Sequence, residues 1–322
     1  MIRINIPFRL HITLIAMHQC SYRKNGGIGL SVNTGCLLTV ISDTKTSIKV
    51  NGHCNDFDKL SDIESLLRSI VTQKSFTKKP KINIEGDLYF HSGLGVGTAI
   101  TLACIEAVFL INDSIYDIED IKSHSRRGGT SGIGVNSYFT GGFLLDLGHV
   151  SDQSPHNPSR YANNNSLPIS LKTVPFFFEN LYFILPTNAP LICGKNEQEF
   201  FQRNTPIDAT KAYETCYLSI FGVLASVVEQ NLHQFDKSIT SIQKTSWKSL
   251  EIERAGDTVK NLMSNLKDLE CKSIGMSSLG HGIYFILNAG SDFNKVNDLA
   301  KQNNCKLLSL SPSNNGRVIE IV

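Results

Sequence analysis

The sequence predicts an α+β chain of two domains, on three observations. Strand-like and helix-like segments alternate through the first half, and the second half orders strands and long helical patterns as an antiparallel sheet with a helical cover would. With 322 residues and 41% hydrophobic composition, the chain can bury a sizeable core and is longer than one domain usually is. The expected domains are residues 1–165, an α/β unit, and residues 166–322, an α+β unit.

Residues 2–16 interleave apolar positions with Arg3, Asn5, Arg9 and His11, which is the period of a strand. Residues 35–51 and 81–90 read as further strands, and residues 56–72 as a helix carrying Leu60, Ile63, Leu66, Leu67 and Ile70. Residues 98–112 are rich in Ala, Leu and Ile and suit a helix buried on most sides. The Asn-, Pro- and Ser-rich residues 152–168 predict irregular structure and contain the domain boundary. After them come a strand at 176–185, helical patterns at 209–230 and 247–269, a strand at 282–287, a helix at 292–302 and a closing strand at 316–322. That order fits a ferredoxin-like α+β domain.

Composition narrows the partners. The balance of 31 basic to 29 acidic residues leaves a net charge of +2, too small a field for nucleic acid or a membrane surface to be the main partner, so anion binding must be local. The eight cysteines are scattered without a C-x-x-C pair, and the N-terminal segment alternates like a strand instead of running apolar like a signal peptide. Reduced thiols in a cytoplasmic protein are expected. The most apolar later stretch, residues 174–186, is short and interrupted by Glu179 and Asn180, so no membrane span is expected.

Two glycine runs carry the chemistry. The first, F-H-S-G-L-G-V-G-T, places Gly93, Leu94, Gly95, Gly97 and Thr98 between a strand and a helix, where backbone N–H groups and a helix N-terminus suit phosphate or pyrophosphate. It lacks both the dinucleotide spacing and the Lys of a P-loop. The second joins Arg127 to Gly128, Gly129, Thr130, Ser131, Gly132, Ile133 and Gly134, a cation with hydroxyls and glycines that can hold phosphate by charge-assisted hydrogen bonds.

These runs, with G-G-F-L-L-D-L-G-H (141–149), G-M-S-S-L-G (275–280), R-L-H-I-T-L-I (9–15) and G-G-I-G-L (26–30), closely resemble β-ribofuranosylaminobenzene 5′-phosphate synthases and related C-glycoside synthases, nearly end to end. The segment around Gly194, Glu199, Phe200 and Pro206 matches too. The resemblance implies a two-domain fold like that of the GHMP kinases, with a ribosomal-S5-like N-terminal α/β domain and a ferredoxin-like C-terminal domain. It also implies a homodimer and a reaction of phosphoribosyl pyrophosphate with an aromatic or heteroaromatic carboxylate. In GHMP kinases the second run reads approximately G-x-P-S-G-I-D, the Asp being the catalytic carboxylate; here that position is Gly134. The chain departs from the synthase pattern at Arg126, Leu147 and His281-Gly282.

Ribosyl transfer from such a donor must stabilise a departing polyanion, and it needs no base for a hydroxyl acceptor. The donor is assigned to Gly93, Leu94, Gly95, Gly97, Thr98 and residues 127–132 with Gly134, and Mg²⁺ is expected to bridge the leaving oxygens. Asp146 is the candidate metal ligand, or else orients ribose. Arg9 and His11, on one face of the first strand, are catalytic candidates with Asp146 and His149; Arg9, Gly27, Ser277 and Ser278 are candidates for holding the acceptor. His91 reads as a turn histidine and Phe176-Phe177-Phe178 as core. An ATP-dependent small-molecule kinase and a non-catalytic phosphosugar sensor remain as alternatives.

Overall fold

The structure is a computed structural model and describes residues 1–20, 22–152, 154–158, 173–188 and 194–322. The segment expected as one strand over residues 2–16 divides into β1 (Ile2–Asn5) and β2 (Phe8–Ala16). The break falls at Pro7, which has no N–H to continue a ladder. The two pieces enter different sheets. One has the order β13-β1-β4-β6-β5, from β4 (Leu37–Asp43), β5 (Ser47–Asn51), β6 (Lys79–Glu85) and β13 (Val318–Ile321).

The larger sheet runs β10-β11-β9-β12-β3-β2, with β7 (Phe143–Asp146) and β8 (His149–Val150) also paired to β3 (Arg23–Asn33). Its other strands are β9 (Leu181–Pro186), β10 (Lys272–Met276), β11 (Ile283–Ile286) and β12 (Cys305–Pro312). Strand β3 was not predicted because Gly26, Gly27 and Gly29 lower its apparent strand propensity, yet it joins the two halves, with Pro312 of β12 opposite its Val32. The closing strand β13 likewise pairs with β1 and not with the C-terminal strands. The boundary expected between residues 165 and 166 lies outside the described residues.

The N-terminal helices are α1 (Phe57–Gln73), α2 (Val96–Ile111), α3 (Ile118–Ser125) and α4 (Ile133–Thr140). Helix α1 starts where expected, Asp56 accepting from the Lys59 N–H at 2.9 Å. Helix α2 is buried along most of its length and packs on β1, β2, β4 and β6 and on its three neighbouring helices. The C-terminal helices are α5 (Lys195–Asn204), α6 (Ala209–Tyr217), α7 (Ala225–Val228), α8 (Leu232–Ile242), α9 (Ser246–Ala255), α10 (Asp257–Asp268) and α11 (Phe293–Gln302). A π-helical turn, Leu218–Leu224, makes α6 and α7 continuous. The pattern expected as one helix over 247–269 is broken by Gly256, whose φ of +84° favours glycine. Phe176 and Phe178 are core as expected, while Phe177 is exposed.

One buried polar cluster locks β13 onto this frame. Glu106 of α2 has no exposed surface and accepts from Arg317 at 2.8 Å, Tyr138 at 2.7 Å and Tyr116 at 2.9 Å. Its carboxylate is therefore fully satisfied in the core. Arg317→Met would strand that charge, and a loss of about 3 kcal/mol in urea unfolding is expected; a change under 1 kcal/mol would show that the tyrosines suffice.

Candidate active site

The two glycine loops meet at Arg9. The first leads into α2 through Gly95, which caps the helix with φ +69° and no side-chain bond; the second leads into α4 through Gly132, again without a side-chain cap. At the second start the Ile133 N–H already donates to Ser131 Oγ at 3.3 Å, so the two starts offer a ligand their partial positive charge and the first-turn N–H groups that remain. A Cβ on Gly95 would meet Arg9 Cγ at 2.8 Å, and one on Gly134 would lie 3.8 Å from Arg9 Nε and 3.6 Å from the Thr98 methyl. The side chain of Arg9 therefore lies between the two helix starts, beside Gly134.

Arg9 is held by its surroundings. Its N–H donates to the Leu94 carbonyl at 2.9 Å and its Nη1 to the Gly93 carbonyl, while Nε is buried without a hydrogen-bond partner. Burial draws the guanidinium down to about 10, against the opposing fields of Glu251 and Glu197. It stays protonated at neutral pH.

His11 occupies the next position on the same strand face. Its Nε2 lies 3.2 Å from Ser131 Oγ, and its N–H donates to Ser277 Oγ at 2.9 Å. Burial, then Arg9, then Lys248 hold the imidazole well below its ordinary value. His11 is neutral, so of the two grips expected for an acceptor carboxylate it can supply only hydrogen bonding. Gly27 faces this ring: a Cβ there would stand 3.3 Å from the imidazole and 2.4 Å from the Thr13 carbonyl. It makes room for His11.

Asp146, expected as the metal ligand, is a staple for the second loop. One of its oxygens accepts from Gly132 N–H at 2.6 Å and Ser131 Oγ at 3.1 Å, the other from Gly148 N–H at 2.9 Å. Burial raises its pKa against the pull of these three hydrogen bonds. Among the described residues no three His, Cys, Asp or Glu side chains group as a metal site; a Mg²⁺ ion carried on phosphates needs fewer protein ligands than that. His149 also serves the loop, its buried Nε2–H donating to the Gly128 carbonyl at 2.8 Å, and Thr130 donates to the Asn157 carbonyl. His91 is exposed and 3.6 Å from an Asp56 oxygen.

The C-terminal half supplies the other wall. Ser277 Oγ donates to the Gly93 carbonyl at 2.7 Å, and Ser278, in the left-handed region at φ +55°, donates its N–H to the His11 carbonyl at 2.9 Å. The Ser277 hydroxyl thus binds protein, whereas Ser278 is tied through its backbone N–H. Glu197 and Arg254 are not among the residues that sequence reasoning singled out. Glu197 is half-buried in the first turn of α5 and is pushed up to about 7 by burial, with Arg254, Arg127 and Arg9 opposing and Glu251 adding. Arg254 lies 4.8 Å over the Phe200 ring, three residues from Glu197 on the same helix face. The fields of three arginines thus oppose the burial that pushes this carboxyl up to about 7. The available signal was the Glu197–Phe200 spacing ahead of a strand-free segment, which is too common to single out.

No family model matches the chain. Over their full lengths, the chain is 28% identical to a β-ribofuranosylphenol 5′-phosphate synthase of Archaeoglobus fulgidus; it is 29% identical to one of Methanocaldococcus jannaschii over 92% of each chain. Solved structures with the same fold include a homoserine kinase of Cytophaga hutchinsonii, TM-score 0.65 over 99% of this chain and 97% of that one at 13% identity. A phosphomevalonate kinase of Streptococcus pneumoniae matches with TM-score 0.66 over 97% and 99% at 11% identity. The fold is that of the GHMP kinases, and the resemblance to the synthases extends along the whole chain.

Because Glu197 binds its proton more tightly folded than unfolded, its contribution to stability is full below about 4.5 and lost as pH rises through about 7. Above 7 its charge opposes any anion bound by the arginines. Glu197→Gln is expected to tighten pyrophosphate binding at pH 8 by about twofold to fivefold, the scale of a partly exposed charge pair, and to leave binding at pH 5.5 unchanged. Calorimetry at the two pH values checks this; an equal effect at both would remove Glu197 from the anion's surroundings.

Proposed function

We propose that this chain, a full-length relative of the β-ribofuranosylphenol 5′-phosphate synthases built on a GHMP kinase fold, is a C-ribosyltransferase. It joins C1 of phosphoribosyl pyrophosphate to a ring carbon of an aromatic or heteroaromatic carboxylate and releases pyrophosphate and carbon dioxide. The observation that carries this reading is the cradle itself: two glycine-led helix starts meeting at the half-buried Arg9, with no carboxylate at position 134.

In the reaction the bond from ribose C1 to the pyrophosphate oxygen breaks, its electron pair leaving with pyrophosphate. The ring carbon bearing the carboxylate forms the new bond to C1. Loss of carbon dioxide then returns the electron pair of the C–C bond to the ring. Arg9, Arg127 and the first-turn amides of α2 and α4 stabilise the charge that builds on the leaving pyrophosphate. Gly93, Leu94 and the Ser277 turn hold Arg9 in place, and Asp146 and His149 hold the second loop. Neutral His11 can hydrogen-bond the acceptor without neutralising the carboxylate that must leave. Mg²⁺ belongs to this reading only as the counter-ion the donor carries in, and no step is assigned to it.

A homodimer remains part of the proposal; the exposed Tyr213, Tyr217, Phe221 and Val228 along α6 and α7 offer an apolar surface for a second copy. The kinase alternative has the fold on its side and lacks a carboxylate at Gly134 to activate a hydroxyl.

Purified protein incubated with phosphoribosyl pyrophosphate, Mg²⁺ and a panel of aromatic and heteroaromatic carboxylates is expected to yield decarboxylated riboside phosphates by mass spectrometry; ADP formation from ATP with a hydroxylated acceptor would replace this reading with the kinase. Arg127→Ala should weaken donor binding by about 1.5–3 kcal/mol, as for a lost hydrogen bond to a charged group. Gly134→Asp would set a carboxylate against Arg9 and is expected to weaken donor binding more than the isosteric Gly134→Asn. Equal losses would mean that bulk, not charge, matters at this position.

A further inference from the structure

Behind the glycine loops lies an ion pair that the reaction does not touch. Lys248 of α9 has no exposed surface, is ion-paired with Glu251 one turn later, and donates to the Met276 carbonyl at 3.1 Å. Glu251, also buried, accepts from the Trp247 indole N–H at 2.8 Å, and Trp247 packs against Phe200 and Phe201 of α5. Placing two full charges in a core is costly, and replacing such pairs by apolar groups is often neutral or stabilising. Stability alone is therefore a poor reason for this pair.

Its contacts supply another reason. Met276 begins the turn whose next residue, Ser277, donates to the Gly93 carbonyl and accepts from the His11 N–H, and whose Ser278 donates to the His11 carbonyl. The Gly93 carbonyl is also the anchor of the Arg9 guanidinium. We propose that the buried Lys248–Glu251 pair positions the anion site: it fixes the Met276–Ser278 turn, and through Ser277 and Gly93 the direction in which Arg9 points. Both are positioning residues, since neither touches the space between the helix starts. The pair also sorts charge. Glu251 supports the protonated state of Arg9, and Lys248 disfavours protonation of His11. One buried couple thus helps keep the neighbouring side chains of β2 in opposite charge states.

This inference rests on the donor-site reading above, and inorganic pyrophosphate separates the two. The test compares wild type with Lys248→Met/Glu251→Gln, which removes both charges, keeps the side-chain volumes close and leaves an acceptor for Trp247. The double variant is expected to melt near the wild-type temperature and to bind pyrophosphate about tenfold more weakly, the scale of one misdirected charge-assisted hydrogen bond. Its kcat/KM for the ribosyl donor should fall at least as far while KM for the acceptor holds, and Lys248→Arg should restore most of the affinity. Ser277→Ala cuts the same linkage without disturbing α9 and should reproduce the affinity loss, which keeps the inference testable if the double variant fails to fold. A folded double variant, or a Ser277→Ala variant, with wild-type pyrophosphate affinity would overturn it, as would a wild-type protein that binds no pyrophosphate. Wild-type protein that binds pyrophosphate but makes no riboside sinks the reaction and leaves the positioning role standing.

Discussion

The Gly93 carbonyl receives two hydrogen bonds from opposite ends of the chain, one from Arg9 on the first long strand and one from Ser277 near the last quarter. A backbone acceptor with two lone pairs can serve both, and in doing so it ties the first glycine loop to both halves of the molecule. The shape of the loop is thus held from both sides. Gly93 adopts φ +102°, and a Cβ there would lie 2.4 Å from the Ser277 carbonyl, so only glycine permits the approach. The candidate site is thus a seam between the halves, and β3 running into β12 continues that seam through the larger sheet.

The second loop is built on a different principle. Asp146 collects Gly132, Ser131 and Gly148, and His149 collects Gly128, so the loop is pinned by side chains from β7 and β8, the two strands that follow α4. The residues that look most catalytic by type are spent on architecture. In the proposed reading the groups left for the ligand are Arg9, Arg127, backbone amides and neutral His11. A site so made would attract and release a polyanion, which is what departure of pyrophosphate requires and what abstraction of a hydroxyl proton does not.

Much of the architecture was legible from local pattern. Helix α1 begins at the Asp56 cap, α2 fills the apolar run after the first loop, and α11 follows its own amphipathic period. The errors have local causes as well. Pro7 divides a strand whose alternation hardly changes across it, Gly256 splits a helix whose apolar spacing carries on, and glycines disguised β3. The closing strand β13 shows a subtler limit, because its sequence states that it is a strand and not which sheet will take it.

From the sequence alone came the two glycine loops at strand-to-helix junctions, the shared face of Arg9 and His11, the missing carboxylate at 134 and the likeness to phosphoribosyl-using synthases. These depend on residue identity and short spacing, which a chain displays before it folds. Tertiary structure decided the surroundings: that Asp146 staples the second loop, that His11 is neutral while Arg9 stays charged, that the fields of three arginines reach Glu197, and that Lys248 and Glu251 pair in the core behind them. A charge state depends on the water removed and the charges brought near, and both are set by segments more than a hundred residues apart in the chain.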